Sequence, residues 1–157
     1  MPSHPDNHAA LRRTIQDAFA HSPPPKEAVA ATAPSHSGHE ERAQLRLAFH
    51  GQPWQQVPAA LAQEHHDTLG FFTDAGFHFY LPAWMTGALE DGTDLDFFTL
   101  RALTPPQDAA GKLGLDRRAA LFTHEQRAAV SAFLAHLAQA PDDFAADDLA
   151  AARGYWK

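Results

Sequence analysis

FFTDAGFHFYLPAWMTGAL, residues Phe71 to Leu89, is the densest aromatic stretch of the chain, with Phe71, Phe72, Phe77, Phe79, Tyr80 and Trp84. Thr73 is a good helix N-cap, because its hydroxyl can accept from a free N–H of the first turn. Phe72 just before the cap and Phe77 four residues after it have the spacing of a hydrophobic staple. At about 100° per residue, Phe77, Leu81, Trp84, Met85 and Ala88 share one face, with Tyr80 and Leu89 at its edges. Phe79 projects from the opposite side, near Thr86 and Glu90. A helix with apolar side chains on both sides is buried on more than one side. Pro82 interrupts the pattern. It lacks the N–H that would bond the carbonyl of His78, at a cost of about 3 kcal/mol. Two readings stand: one helix over Thr73–Asp91 kinked near Tyr80, or two helices with Pro82 opening the second.

The remaining helices arrange themselves around this segment. Asp6 or Asn7 caps a first helix to about His21, with Leu11, Ile15, Ala18 and Phe19 inward. Residues 1–7 are expected to be mobile, and 8–157 to form a single domain. The Pro/Ala/Ser-rich stretch at 22–38, with Pro23, Pro24 and Pro25, reads as a loop. Ser37 or Gly38 caps a second helix over His39–His50, ended by Gly51. A short third helix opens at Val57–Pro58 and ends near His66. Thr93 with Asp96 resembles a capping box that starts a further helix, and Thr104–Gly114 reads as a loop. Thr123-His124-Glu125-Gln126 is a T-x-x-Q capping box. Val130, Phe133, Leu134 and Leu137 follow it at helical spacing, to about Ala140. A last helix runs from Asp142 or Asp143 to Arg153, before Tyr155 and Trp156. Strand signals are scarce. The expected architecture is an all-α, compact, orthogonal bundle of six or seven helices.

The central phrase resembles the hallmark of a family of small uncharacterised bacterial proteins, F-x-T-x-x-x-F-x-Y-Y-L-P-A followed by an aromatic residue or Leu. Here it runs from Phe71 to Trp84, with Phe79 at a position where the family often has Tyr. Phe19 with the prolines after it, Phe49-His50-Gly51 with Trp54, Phe122-Thr123 with Gln126, and Tyr155-Trp156 resemble further family elements. The stretch 26–38 departs most from the pattern. The resemblance implies no activity.

Composition bounds the function. The chain has 157 residues, 45% of them apolar, and a formal net charge of −7 from 12 basic and 19 acidic residues. The absence of a basic stripe disfavours nucleic acid as a partner. No apolar run is long enough for a membrane span, so no membrane association is expected. The sequence holds no cysteine, which excludes disulfides, thiol nucleophiles and thiolate metal sites. MPSHPDNH lacks the features of a signal peptide, and a cytoplasmic location is expected.

Candidate chemistry is sparse. The 11 histidines lack ligand spacing: His4 and His8 flank Pro5, His36 and His39 lie in a Ser/Gly loop, and His65 and His66 point about 100° apart on a helix. No H-E-x-x-H, G-x-S-x-G, phosphate loop or dinucleotide fingerprint occurs. No cofactor and no metal are expected. The carboxylates read as helix caps and solvated faces. His78, Phe79, Tyr80, Trp84, Tyr155 and Trp156 are the candidate binding residues, and none is assigned a catalytic role. Tyr155 and Trp156 are expected to dock on the core, because two exposed large aromatics would each forfeit roughly 1.5–3 kcal/mol. The leading expectation is a non-catalytic domain that binds another protein, an inhibitor or immunity-type role being one form of it. The alternative is a small enzyme with an aromatic pocket at the Pro82 break that uses His78 beside Tyr80 and Trp84. A third is a metal-dependent activity through His65, His66 and a distant partner.

Overall fold

The computed structural model describes residues 5–30, 39–140 and 143–157. Among them eight α-helices follow one another: α1 (Pro5–Phe19), α2 (His39–Phe49), α3 (Ala59–Glu64), α4 (Asp74–Gly87), α5 (Leu95–Leu103), α6 (Ala109–Ala119), α7 (His124–Leu137) and α8 (Ala146–Tyr155). Single 3-10 turns at Trp54–Gln56 and Leu69–Phe71 complete the set. The described residues contain no strand, only an isolated antiparallel bridge between Val29 and Phe72. The all-α expectation holds, but the helices number eight among the described residues in place of the expected six or seven.

α4 is one helix that runs through Pro82, so the two-helix reading is excluded. Thr73 caps it as expected, its hydroxyl accepting from the Gly76 N–H at 2.9 Å. The helix stops at Gly87, short of the expected Asp91, and Gly92 turns the chain with φ +82°. Phe77, Leu81, Trp84 and Met85 are buried, and so is Phe79 on the opposite side. α1, α3, α5 and α6 and both 3-10 turns pack against it, so α4 is the axis of the molecule. Phe49 of α2 stacks on Trp84 at 5.7 Å, and Phe72 stacks on Tyr80 at 5.3 Å. All three tryptophans are buried with their indole N–H satisfied. Trp54 donates to the Phe19 carbonyl, Trp84 to that of His66 and Trp156 to that of Leu103. A buried indole needs such an acceptor.

Two sequence expectations are corrected. α6 occupies residues read as the second half of a loop. Gly111 and Gly114 lower its propensity by about 1 kcal/mol each relative to Ala, yet Asp108 caps it through the Gly111 N–H at 2.8 Å. A Cβ on Gly111 would come within 2.8 Å of Pro106, so the glycine belongs to the turn that starts the helix. α6 is held by burial of Leu115 and Ala119 and by Arg118. The Arg118 guanidinium donates to the Asp74 carboxylate and to the carbonyl of Phe72 at 2.8 Å, and lies over the Phe77 ring. Second, the Thr93–Asp96 capping box does not form. Asp94 takes the cap position of α5. Thr93 donates back to the Gly87 carbonyl, and the Asp96 carboxylate accepts from its neighbour Phe97. Aspartate is one methylene shorter than the glutamate that usually closes this box.

Several boundaries move by a few residues. α1 begins at Pro5 and ends at Phe19, α7 ends at Leu137, and α8 begins at Ala146. The capping box of α7 forms in both directions. The proposed Ser37 or Gly38 cap, the helix start at Asp142, and His4 and His36 lie outside the described residues.

Candidate functional site

Residues 26–30 form a strap across the start of α4. The Thr73 N–H donates to the Ala28 carbonyl at 2.8 Å, and the Ala30 N–H donates to that of Phe71 at 2.8 Å. The Thr73 hydroxyl donates to the Glu27 carbonyl at 2.6 Å while it caps α4. Val29 is thereby buried against the core. From α2, Arg46 reaches across to donate to the Ala30 carbonyl at 2.8 Å.

Between this strap and the segment that follows α2 lies a cleft of about 810 Å³. That volume lies within the range of about 300–1,000 Å³ seen for ligand pockets. Phe79 and Tyr80 contribute from α4, Pro24, Pro25 and Pro53 from the flanking loops, and Lys26 and Arg46 supply positive charge. Phe79 on the back of α4 and Tyr80 at the edge of its main apolar face are neighbours in sequence, and both reach the one cleft. The Tyr80 hydroxyl lies 2.6 Å from the Gln52 carbonyl and 3.0 Å from that of Phe49. Burial pushes its pKa up to about 12.

His78 faces elsewhere. It lines a second groove of about 440 Å³ with Asp17, His21, Ser22, Glu125 and Gln126. The Gln126 side-chain oxygen accepts from the Thr123 N–H at 3.0 Å, which closes the α7 capping box and orients the amide. His78 Nε2 lies 2.7 Å from that same oxygen, so it carries the proton. The Gln126 NH₂ then donates to the Ser22 hydroxyl at 3.1 Å. Pro82 lines neither groove.

Of the six candidates, Phe79 and Tyr80 come together and His78 lies in a separate groove. Trp84 and Trp156 are wholly enclosed. Tyr155 is half-buried at the end of α8, its hydroxyl donating to the Asp116 carboxylate. The C-terminal pair is thus docked, with the Trp156 ring packed on Phe122 at 5.1 Å. Lys26, Arg46 and the strap itself escaped the sequence reading, because a loop that docks through backbone hydrogen bonds leaves no periodic signature. The Pro23–Pro25 run was the available sign of a stiff wall.

His65 and His66 diverge. The His65 ring meets Phe49 edge-on, while His66 lies 4.2 Å from the Phe98 ring and donates through Nδ1 to the Gln63 carbonyl. Among the described residues no group of three or more His, Asp or Glu side chains is placed to hold a metal ion.

Both tyrosines should resist ionisation. Burial raises Tyr155 as well, with the Asp116 carboxylate adding to the effect. At about pH 10, where an ordinary phenol is half ionised, the folded protein should show almost no tyrosinate ultraviolet absorbance. A step centred there would show that one hydroxyl is free in water. Since ionisation is disfavoured only in the folded form, the Tyr80 contribution to stability is intact below about pH 10 and lost as pH rises through about 12.

A family model described as "Family of unknown function (DUF6714)" matches residues 7–157. No curated protein and no solved structure matches the chain.

Proposed function

Given that the chain belongs to this family of unknown function, whose description assigns no chemistry, we propose that it is a non-catalytic binding protein whose cleft takes a segment of another protein. The observation that carries this reading is the open cleft of about 810 Å³ with Phe79 and Tyr80 in its lining and prolines on both sides. Proline presets its backbone, so these walls lose little freedom on binding, which lowers the cost of association. Tyr80 is a poor proton donor or acceptor at neutral pH, because burial holds its hydroxyl protonated to about pH 12. Lys26 and Arg46 in the lining, against Glu27 alone among the acids of the described residues, favour a segment that carries a carboxylate beside an apolar side chain. An inhibitor-type role is the form this binding takes when the partner is an enzyme.

A photo-crosslinking side chain placed in cells at exposed cleft positions Ala20 and Gln55 should trap one partner. The same group at Leu113, exposed on α6, should trap none. Lys26→Glu should weaken the cleft adducts. Equal labelling at Leu113, or no adduct at either cleft position, overturns the reading.

A second reading, proton transfer at His78, draws on the groove that this ring shares with Asp17, His21 and Glu125. With Nε2 donating to Gln126, a neutral ring keeps Nδ1 as its acceptor. That reading fails if His78→Gln leaves every measurable cellular phenotype of a deletion strain complemented.

A further inference from the structure

We propose that His8 and His136 form a pH-sensitive latch that fastens α1 to α7 at neutral pH and loosens it in mildly acidic solution. The two rings meet edge to face, with centroids 4.9 Å apart and planes at 83°. His8 comes from the start of α1 and His136 from the last turn of α7. The Nε2 atom of His8 is buried and has no hydrogen-bond partner among the described residues. A neutral ring tolerates this, whereas a charged ring there would bury an N–H without an acceptor. His136 is held below the ordinary histidine value by burial first and by the proximity of His8 second. Like charges at this separation repel, so a positive charge on the His8 ring opposes one on His136.

Among the described residues the surroundings offer little compensation. Along α1 the inward stripe continues through Leu11, Arg12, Ile15 and Phe19, and Arg12, half-buried one turn on, is a further positive charge. Asp6 on α1 is exposed. The inner stripe of α7 is Ala129, Val130, Phe133 and Leu137, without an acid, and Glu125 lies at the far end of that helix. α4, which also packs on α1, carries Asp74, His78 and Tyr80. Asp74 is engaged by Arg117 and Arg118, His78 by Gln126, and Tyr80 by backbone carbonyls. α8, which also packs on α7, has Asp147 and Asp148 exposed in its first turn.

The direction follows from linkage. Well above about pH 6.5 the His136 ring is neutral whether α1 is docked or released, and the packing contribution is intact. As pH falls below that value, the released form takes up protons first, and the contribution is lost. The end of α1 and the turn after it line both grooves, Asp17, Ala18, His21 and Ser22 in one and Ala20 and Ser22 in the other. Loosening α1 therefore acts on both.

Hydrogen exchange of the α1 amides tests the latch, with rates corrected for the pH dependence of the exchange chemistry. In the wild-type protein, α1 protection should fall severalfold more than that of α5 between about pH 7.5 and about pH 5.5, a window that spans the ordinary histidine value. In His136→Gln and in His8→Phe, each measured separately, the extra fall should vanish, and either variant that folds suffices. An unchanged fall in the variants, or a fall shared equally by every helix, overturns the proposal. Should neither variant fold, the comparison of α1 with α5 in the wild-type protein decides alone.

Discussion

Gly76→Ala should lower the unfolding free energy by about 2–4 kcal/mol, read as a shift in the urea midpoint. Gly76 lies in the first turn of α4, directly beneath the strap. A Cβ there would sit 2.0 Å from the Ala28 carbonyl oxygen, with the Ala28 carbonyl carbon and Cα within 2.9 Å. These are backbone atoms, so no side-chain rotation relieves the clash. The strap must lift, and the fold then loses the Thr73 and Ala30 hydrogen bonds at about 1 kcal/mol each and part of the burial of Val29, worth roughly 1.5–3 kcal/mol. Gly154→Ala is the matched control. Its Cβ would meet nothing within 4 Å, and alanine favours helix by about 1 kcal/mol, so α8 should be unharmed or slightly strengthened. A Gly76→Ala protein as stable as wild type would mean that the strap does not rest on α4. Because Lys26–Val29 line the main cleft, the same variant should also lose the crosslinked partner.

Trp84→Ala should cost about 3–5 kcal/mol, the range for truncating a buried tryptophan. Against a total stability of about 5–15 kcal/mol, much of the population would unfold at physiological temperature. The indole is wholly enclosed between Phe49 and Phe72, and its N–H satisfies the His66 carbonyl. Removing it therefore empties the aromatic layer and orphans an acceptor in the turn that follows α3. Trp84→Phe, which keeps much of the volume and loses the hydrogen bond, should cost clearly less. Thermal unfolding followed through the remaining Trp54 and Trp156 separates the two. Equal effects would show that the hydrogen bond, rather than the volume, dominates.

The sequence carried most of the architecture. Strong local devices read correctly: the Thr73 cap, the Thr123–Gln126 box and the apolar faces of α4 and α7 are decided within a few residues of themselves. Where the reading failed, a distant partner had overruled local propensity. α6 contains two glycines and has little apolar periodicity, and it is helical because Asp108 caps it and Arg118 ties it to the carbonyls before α4. The Thr93–Asp96 box failed on the length of one side chain. Continuity through Pro82 was open in the sequence, and enclosure of α4 by its neighbours resolves it. For the candidate site, Phe79 and Tyr80 stood out by composition, but the opposite wall did not. That wall depends on a pairing between residues 27–30 and 71–73, some 45 positions apart at the Thr73–Ala28 contact, which no helical wheel registers. His78 and Tyr80, two residues apart in sequence, point into different grooves because that separation places them about 200° apart around a helix.

The enclosure of α4 also governs how the molecule assembles. Its partners are drawn from nearly the whole length of the chain, α1 from one end and α6 well past the middle. Synthesis from the N-terminus therefore produces a greasy rod before its last neighbours exist. Nascent protein should depend on holding factors until α6 emerges, and severing the backbone between α5 and α6 should yield two insoluble pieces instead of two miniature domains.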